Sequence, residues 1–150
     1  MKCAKEIVDI RSQANAVFEA EITAQTLAEY AVACKDTISL CEGRINRMLE
    51  ETASHHGNDS VCVSMPISMY QDRLGNKLFH LVVEEPNVYA NGDSSWESAE
   101  ETYSLDAMTE YLKQFCFEVS IQERGFKGRH WGCGEMFFPV LGITAIPECE

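Results

Sequence analysis

The chain is 150 residues long, 45% of them hydrophobic, and its 24 acidic residues against 12 lysines and arginines give a net charge of −12. This length and composition predict one folded domain, residues 1–150, with a real core, which excludes a wholly disordered protein. The negative charge repels nucleic acids and anionic membranes over a Debye length of about 8 Å at physiological salt, so neither is expected as a direct partner.

Neither a targeting segment nor a membrane-spanning segment is predicted from the sequence. Near the N-terminus Ile7, Val8 and Ile10 are interrupted by Asp9 and Arg11, unlike the apolar run of a signal peptide. Seven cysteines form an odd number without close pairs, which predicts reduced thiols rather than a secreted disulfide scaffold. The predicted location is therefore the cytoplasm.

The N-terminal part of the chain, residues 1–56, is predicted to be helical. Its first 42 residues contain no glycine and no proline, the two residues that most disfavour a helix. Helices are predicted over 3–21 and 26–53, and they form either a helical hairpin or one long helix. Thr26 and Glu29 have the spacing of a capping box, which favours a second helix beginning there and hence the hairpin.

Apolar side chains in both predicted helices recur in steps of three and four, which is typical of a helix with one covered face. The longer set is Leu27, Ala31, Cys34, Ile38, Cys41, Ile45 and Met48, and the shorter set, which then meets Glu21, is Ile7, Ile10, Ala14 and Val17. One helix of about fifty residues would be about 75 Å long and would need a partner chain along this face. A homo-oligomer formed through the N-terminal helices is therefore an alternative arrangement.

The second part, residues 57–150, is predicted to form a small, mostly antiparallel sheet with one covering helix, which gives the chain the α+β class. Strict alternation of apolar residues over 61–70 predicts a half-buried strand. Pro66 has no N–H to donate, which predicts that this strand lies at a sheet edge or contains a bulge. A turn at Gly75 then leads to a returning strand over 77–83.

The rest of the chain is predicted to run through loop, helix, strand, loop and strand. A loop is predicted over 84–103, followed by a helix capped by Ser104. The apolar stripe of this helix is Leu105, Met108, Leu112 and Phe115. A strand over 117–122, a glycine-rich loop from Arg124 to Gly132 and an apolar strand over 136–146 complete the prediction.

Eight carboxylates without a basic residue among them form an acidic block over 84–110. Its members are Glu84, Glu85, Asp93, Glu97, Glu100, Glu101, Asp106 and Glu110. Duplex DNA carries one charge per roughly 1.7 Å of its axis, so carboxylates at this density fit a basic groove that binds nucleic acid. Long-range attraction speeds such an encounter, and Tyr89, Trp96 and Tyr103 would supply uncharged anchors. The alternative is an acidic surface that only keeps the chain soluble.

The glycine-rich loop is a second candidate site, because bases, a histidine and a tryptophan alternate there with glycines. Its candidate ligand-binding residues are Arg124, Lys127, Arg129, His130 and Trp131. Arginines and backbone amides can hold a phosphate while Trp131 stacks on a base, so a nucleotide or another small molecule is the alternative ligand. The other interpretation is a hairpin connection whose glycines serve the turn.

Metal and thiol chemistry have weaker signals. His130 and Cys133 have the spacing of one ligand pair, and His55 and His56 are further candidates, but a structural zinc site usually has two close pairs. Cys133 beside His130 in a basic loop is the candidate for a nucleophilic thiol. No third group is placed next to it, so no catalytic residue, metal ligand or cofactor is assigned, and a zinc or thiol enzyme is kept as a further alternative.

In organisation the chain resembles small acidic accessory proteins of phages and mobile elements, in which a helix without glycine or proline leads into a strand, a short helix and a strand. The residues that carry the resemblance are the helix end Arg44–Glu51, VCVSMP at 61–66 and SLDAMTEYLKQFCFEVSI at 104–121. The resemblance carries over no site residue. What it implies is inhibition of host defence, as by acidic anti-CRISPR proteins that mimic DNA. The leading hypothesis is therefore a non-enzymatic inhibitor that blocks the nucleic-acid-binding surface of a basic partner, such as a CRISPR effector.

Overall fold

A long helix, an antiparallel sheet and one short helix make up the described part of the protein. The elements in chain order are α1 (Ala4–Leu40), a π-helical turn (Cys41–Ile45), α2 (Asn46–Ser54), β1 (Cys62–Gln71), β2 (Lys77–Glu84), β3 (Trp96–Ser98), β4 (Tyr103–Ser104), α3 (Leu105–Lys113), β5 (Phe117–His130) and β6 (Gly134–Ala145). The computed structural model describes residues 1–84, 96–98, 101–130 and 134–147, with the backbone alone in 83–84, 96–98, 123–130 and 134–137. The predicted α+β class is confirmed.

One continuous helix runs from Ala4 to Ser54, so the favoured hairpin of two helices is wrong and the alternative of one long helix is confirmed. The expected capping box at Thr26 does not form. Instead, Thr26 Oγ1 donates a hydrogen bond to the carbonyl oxygen of Ile22 at 2.9 Å. This bond to the preceding turn is the one that a threonine makes inside a continuing helix.

The π-helical turn shifts the buried face of this helix by one residue. Before the turn the buried side chains are Thr26, Ala33, Thr37 and Leu40, and from the turn onward they are Cys41, Ile45 and Leu49. The sequence pattern predicted that Leu27, Cys34 and Ile38 are buried. The helix instead buries Thr26, Ala33 and Thr37, each one residue earlier. Leu27 and Ile38 are 54% and 37% exposed. A π turn contains one residue more than an α turn, so a stripe traced at constant period loses its register across it.

The sheet has the strand order β3-β2-β1-β6-β5, with β4 also paired to β2, and its paired strands are antiparallel. The predicted strand β1 is confirmed, with Val63, Met65 and Ile67 buried. Pro66 predicted an edge position or a bulge, and neither is found, because β1 lies between β2 and β6 and its two ladders have no register shift. Pro66 is the last residue of the ladder with β6, and the ladder with β2 begins at the next residue.

Short-range predictions in the second part are confirmed. β1 and β2 form a hairpin around Gly75, whose φ is +83°. Ser104 caps α3, since its Oγ accepts a hydrogen bond from the N–H of Ala107 at 3.2 Å. Phe115, predicted as the end of the helical stripe, lies beyond α3 and is 56% exposed.

Two predicted loops contain strands. β3 and β4 lie within the predicted loop 84–103, and the segment from Arg124 to His130 belongs to β5, where it pairs with β6. A register shift between Gln122 and Phe126 marks an irregularity in this ladder. Glycines led to the prediction of a loop here. Antiparallel pairing satisfies the backbone N–H and C=O groups, so hydrogen bonds to a partner strand can keep a glycine-rich stretch in the sheet.

The core lies where the long helix and α3 cover the sheet. Its fully buried members include Ile45, Ile67, Phe79, Met108, Leu141 and Ile143. None of the helices in the described part of the chain is long and apolar enough to cross a membrane.

Candidate partner-binding cleft

A cleft of about 490 Å³ lies between α1 and the hairpin of β1 and β2. We name it the acidic cleft after its four carboxylates, which belong to Glu29, Asp36, Asp72 and Glu101. The other residues that line it are Thr26, Ala28, Tyr30, Val32, Ala33, Tyr70, Leu78 and Thr102. No lysine, arginine or histidine is among these twelve described residues. The cleft is therefore a concave surface with charge of one sign.

Helix α1 supplies two of the carboxylates by its periodicity. Glu29, Ala33 and Asp36 follow one another in steps of four and three, which places them on one side of a helix. Ala33 is buried and Asp36 is half-buried. The packing that buries Ala33 thus holds the two acids at the edge of the cleft.

The hairpin turn positions Asp72. Its Oδ1 accepts hydrogen bonds from the N–H groups of Leu74 and Asn76, and its Oδ2 accepts one from Asn76 Nδ2, all at 2.9 Å. Desolvation of the carboxyl opposes ionisation, but the hydrogen bonds from Asn76, Leu74 and Gly75 outweigh it and lower the pKa of Asp72 below its ordinary value. Asp72 is therefore charged at neutral pH, although its oxygens are already engaged in the turn.

The acidic block reaches the cleft through Glu101. Its Oε2 accepts a hydrogen bond from the hydroxyl of Tyr103 at 2.6 Å, and its backbone carbonyl lies 3.1 Å from His80 Nδ1. The ring of His80 in turn stacks on Tyr70, with centroids 5.2 Å apart. These contacts fix the segment that precedes β4 beside the hairpin.

Tyr103 has a different role from the one predicted. The sequence suggested a surface anchor, but Tyr103 is 3% exposed and belongs to the core. Burial raises the pKa of its hydroxyl, and the hydrogen bond and charge of Glu101 and the charge of Asp36 raise it further, against a smaller opposing effect of Arg44. Negative charges nearby disfavour a phenolate. The raised pKa of Tyr103 thus reflects its burial first and the neighbouring carboxylates second.

The remaining predicted partner-binding residues are dispersed. Asp106 and Glu110 are exposed on α3. Glu84 of β2 pairs with Trp96 of β3, next to Glu97, and only their backbone is described. Glu85, Asp93 and Glu100, with Tyr89, lie outside the described residues. The described part of the acidic block therefore spans two strands, the segment before β4 and a helix, instead of the predicted loop and helix.

Sequence reasoning missed Glu29, Asp36 and Asp72. For Glu29 and Asp36 the sequence does contain a signal, because a step of seven residues places two acids on the same face of a helix. Asp72 precedes a predicted turn, where aspartate is common for turn chemistry. No local signal indicates that these three positions and Glu101 meet, because the pairing of β2 with both β1 and β4 creates the cleft.

The second candidate site is not a loop as predicted. Arg124, Lys127, Arg129 and His130 lie in β5, where only the backbone is described, and Trp131 lies outside the described residues. A paired strand lacks the converging backbone N–H groups with which a turn holds a phosphate. The geometry therefore gives no support to a nucleotide site there.

The described residues include free thiols but no cluster of metal ligands. No three histidine, cysteine, aspartate or glutamate side chains there are placed to hold a metal ion, and Cys133 lies outside this part of the chain. Free thiols are found at Cys3, Cys34, Cys41 and Cys62. Cys116 is disulfide-bonded, which corrects the expectation that all seven cysteines are reduced.

Comparison with protein-family models, with curated proteins and with solved structures found no match to this chain. Its function is therefore inferred from its own residues.

Proposed function

We propose that this protein is a non-enzymatic inhibitor that binds a basic, nucleic-acid-binding surface of a partner protein through the acidic cleft and the neighbouring acidic block. One observation carries the proposal: Glu29 and Asp36 of α1, Asp72 of the hairpin turn and Glu101 before β4 line one cleft whose described lining has no basic side chain. The chain as a whole is also acidic, with a net charge of −12.

A cationic side chain is the ligand that the cleft fits best. Carboxylates held close together repel one another, and a cation placed between them removes this repulsion. In a partly buried cleft salt screens the interaction less than on an open surface. A volume of about 490 Å³ lies within the usual range of ligand pockets, about 300–1,000 Å³, and admits the side chain of an arginine or lysine.

Two tyrosines add uncharged contacts. Tyr30 and Tyr70 both line the cleft, and Tyr70 is 41% exposed. A guanidinium or ammonium group over a tyrosine ring within about 6 Å gains a cation–π attraction. Because Tyr70 stacks on His80 and its hydroxyl lies 3.3 Å from Thr102 Oγ1, its ring is held in place before a partner arrives.

In this proposal the carboxylates take the place of phosphates. A groove that binds nucleic acid presents lysines and arginines spaced for backbone phosphates, and the same side chains can pair with carboxylates. Nucleic acid is then excluded by competition. The partner class is a basic nucleic-acid-binding protein, of which a CRISPR effector is the example that the phage-type resemblance suggests.

The cytoplasm is the proposed setting, because such a partner works there. The free thiols at Cys3, Cys34, Cys41 and Cys62 support this setting, and the disulfide at Cys116 is the observation against it. Measuring the thiol content of protein purified from its host under alkylating conditions tests this part of the proposal.

The binding proposal is tested with two charge-reversed variants of equal net charge. The first carries Glu29→Lys and Asp36→Lys in the cleft, and the control carries Glu50→Lys and Glu51→Lys, both exposed on α2. Proteins captured from nuclease-treated host lysate are purified, and their binding to labelled DNA or RNA is titrated with each variant. We expect the wild type and the control to displace the nucleic acid and the cleft variant to need at least tenfold higher concentration.

Two results contradict the proposal. One is that no captured protein binds nucleic acid, and the other is that the cleft variant and its control inhibit equally. The acidic block is tested separately: reversing Glu97, Glu100 and Glu101 together is expected to slow association and to flatten its dependence on salt. Unchanged association rates at low and high salt would limit the interface to the cleft.

A further inference from the structure

The N-terminal half of α1 carries an apolar face that no described residue covers. Each of the first twenty residues is exposed, and Ile7, Ile10 and Val17 are 54%, 47% and 59% exposed. In water a helix is stabilised mainly by packing of its apolar face. The second half of α1 has this support from β4 and α3, and no described residue gives it to the first half.

The exposed face continues along α1 as one seam with steps of three and four residues. Its members, all exposed, are Ile7, Ile10, Ala14, Val17, Glu21, Ala24, Ala28 and Ala31. At about 3.6 residues per turn, the seam lies roughly opposite the side on which α1 buries Thr26, Ala33 and Thr37. A second helix can therefore lie along the seam without meeting the sheet.

We propose that a second copy of this chain packs along the seam, with the two α1 helices antiparallel. Side-chain size is the first reason for this occupant. The large side chains of the seam lie near the N-terminus and most of its alanines lie further along. In an antiparallel pair the large side chains of one copy therefore face the alanines of the other. Ile7 then lies level with Ala24 of the second copy, and Ala14 lies level with Val17, which fills space evenly. A parallel copy would leave Ala24 facing Ala24 across a gap.

Charge is the second, independent reason. The beginning of the helix carries Lys2, Lys5 and Arg11 against Glu6 and Asp9, which leaves one net positive charge, whereas its middle carries Glu19, Glu21 and Glu29 without a basic residue among them. In the antiparallel arrangement Arg11 lies beside Glu21 of the second copy, and by symmetry the pair occurs twice. Parallel helices would place Glu21 against Glu21 inside an apolar seam, where two like charges are strongly unfavourable. A single polar residue in such a seam is a known means of setting register.

The length of the contact is sufficient. Overlap from Cys3 to Ala28 covers about seven turns, or about 39 Å, and three to four heptads are the usual minimum for a coiled coil. The ion pair between Glu19 and Arg73, 3.0 Å long, lies on another side of α1 and marks where the hairpin reaches the helix. The contact between copies therefore leaves the hairpin free, and it shares one residue, Ala28, with the lining of the acidic cleft.

Sedimentation equilibrium over 1–100 μM tests the dimer. We expect twice the chain mass of 16.9 kDa, and a dissociation constant raised at least tenfold by Ile10→Asp with Val17→Asp. The matched control is Val8→Asp, because Val8 is 61% exposed but lies on the side of α1 away from the seam. These side chains are exposed in the single chain, so the folded core is not altered, which the urea midpoint of each variant verifies. A wild-type monomer at 100 μM, or equal weakening by the control, overturns the proposal.

Cross-linking determines the orientation. In a Cys62→Ser background, Ala28→Cys is expected to form an intermolecular disulfide with Cys3 under diamide, identified by peptide mapping, whereas Ser12→Cys, on the far side of α1, is expected to form none. A disulfide between Cys3 and Cys3 of two unaltered chains would mean parallel helices and would overturn the proposal. In addition, Arg11→Glu or Glu21→Arg alone is expected to weaken the dimer, and the two together to restore it. Failure of the double variant to recover also overturns it.

Discussion

The side-chain oxygen of Thr37 accepts a hydrogen bond from the backbone N–H of Ser104 at 2.8 Å, and both residues are fully buried. Thr37 also donates to the carbonyl of Ala33 at 2.6 Å, while the Ser104 hydroxyl donates to Tyr30 Oη at 3.2 Å. Ser104 ends β4 and caps α3. This small polar network therefore joins the long helix to the sheet and to α3 at one point, next to the acidic cleft.

Replacement of Thr37 by valine should destabilise the protein by about 1–3 kcal/mol, because it leaves the buried N–H of Ser104 without its partner. Thr26→Val is the matched control, since Thr26 Oγ1 bonds only within its own helix, to Ile22, and should change stability much less. Urea unfolding followed by circular dichroism measures both. Equal losses in the two variants would mean that the bond to Ser104 contributes nothing particular.

Deletion of Gly43 should remove the π-helical turn and leave the fold intact. Without this residue, Thr26, Ala33, Thr37, Leu40 and Ile45 follow one another at the spacing of a regular α-helix, so the same side chains stay buried. We expect a change in unfolding free energy below about 1 kcal/mol, small among single changes. Deletion of Lys35 is the control.

The control deletion should be the more damaging one. Loss of Lys35 moves Ala33 and Thr26 off the buried face while Thr37 and Ile45 keep their places, so buried contacts are lost. Urea unfolding compares the two deletions. A greater loss for Gly43 than for Lys35 would contradict the role of the π turn as an inserted residue.

Two glycines with open space around them should respond oppositely to alanine. No atom lies within 4 Å of a Cβ added at Gly43 or at Gly75. Gly43→Ala should stabilise the protein by about 0.5–1 kcal/mol, because alanine is the better helix former. Gly75→Ala should destabilise it by about 1–2 kcal/mol, because its φ of +83° is unfavourable for an L-residue with a side chain. Thermal unfolding of both variants gives the two signs, and shifts of the same sign would refute this explanation.

Stability should fall as the pH rises from about 9 toward 11, in part through Cys41. Burial, and next the charge of Glu42, raises the pKa of the Cys41 thiol from 9.0 to about 11. A group with a raised pKa binds its proton more tightly in the folded chain, so its stabilising contribution is complete below the unfolded pKa and is lost as the pH rises through the folded one. Tyr103, whose pKa is also raised, adds to the loss at the upper end.

Urea midpoints at pH 8 and pH 10.5 measure this dependence. Cys41→Ala should be less stable at both pH values because it leaves a small cavity, but the difference between the two midpoints should be smaller than in the wild type. Cys3→Ala, which removes an exposed thiol, should retain the full difference. A pH dependence identical in all three proteins would show that Cys41 does not contribute.

Much of the second part of the fold was predictable because its signals are short in range. The alternation over β1, the turn at Gly75 and the cap at Ser104 each depend on neighbouring residues, and all three are confirmed. The acidic cleft was only partly predictable. Glu101 was identified from its place in the acidic block, but Asp36 and Asp72 carry no local sign that they share a cleft with it.

The sequence by itself determined that the chain is acidic, is α+β in class and has an N-terminal part made for a helix, because composition, propensity and period act residue by residue. Only the tertiary structure decided that this part is one helix with a π turn. Thr37 and Ile45 are both buried, and their separation is one residue longer than the regular period of an α-helix allows, so the π turn is needed to bring both to the buried face. The sheet likewise holds Phe126 to His130 in β5 through pairing with the following strand, β6. Tertiary packing also creates the acidic cleft, because it brings Glu29 and Asp36 of one helical face together with Asp72 and Glu101.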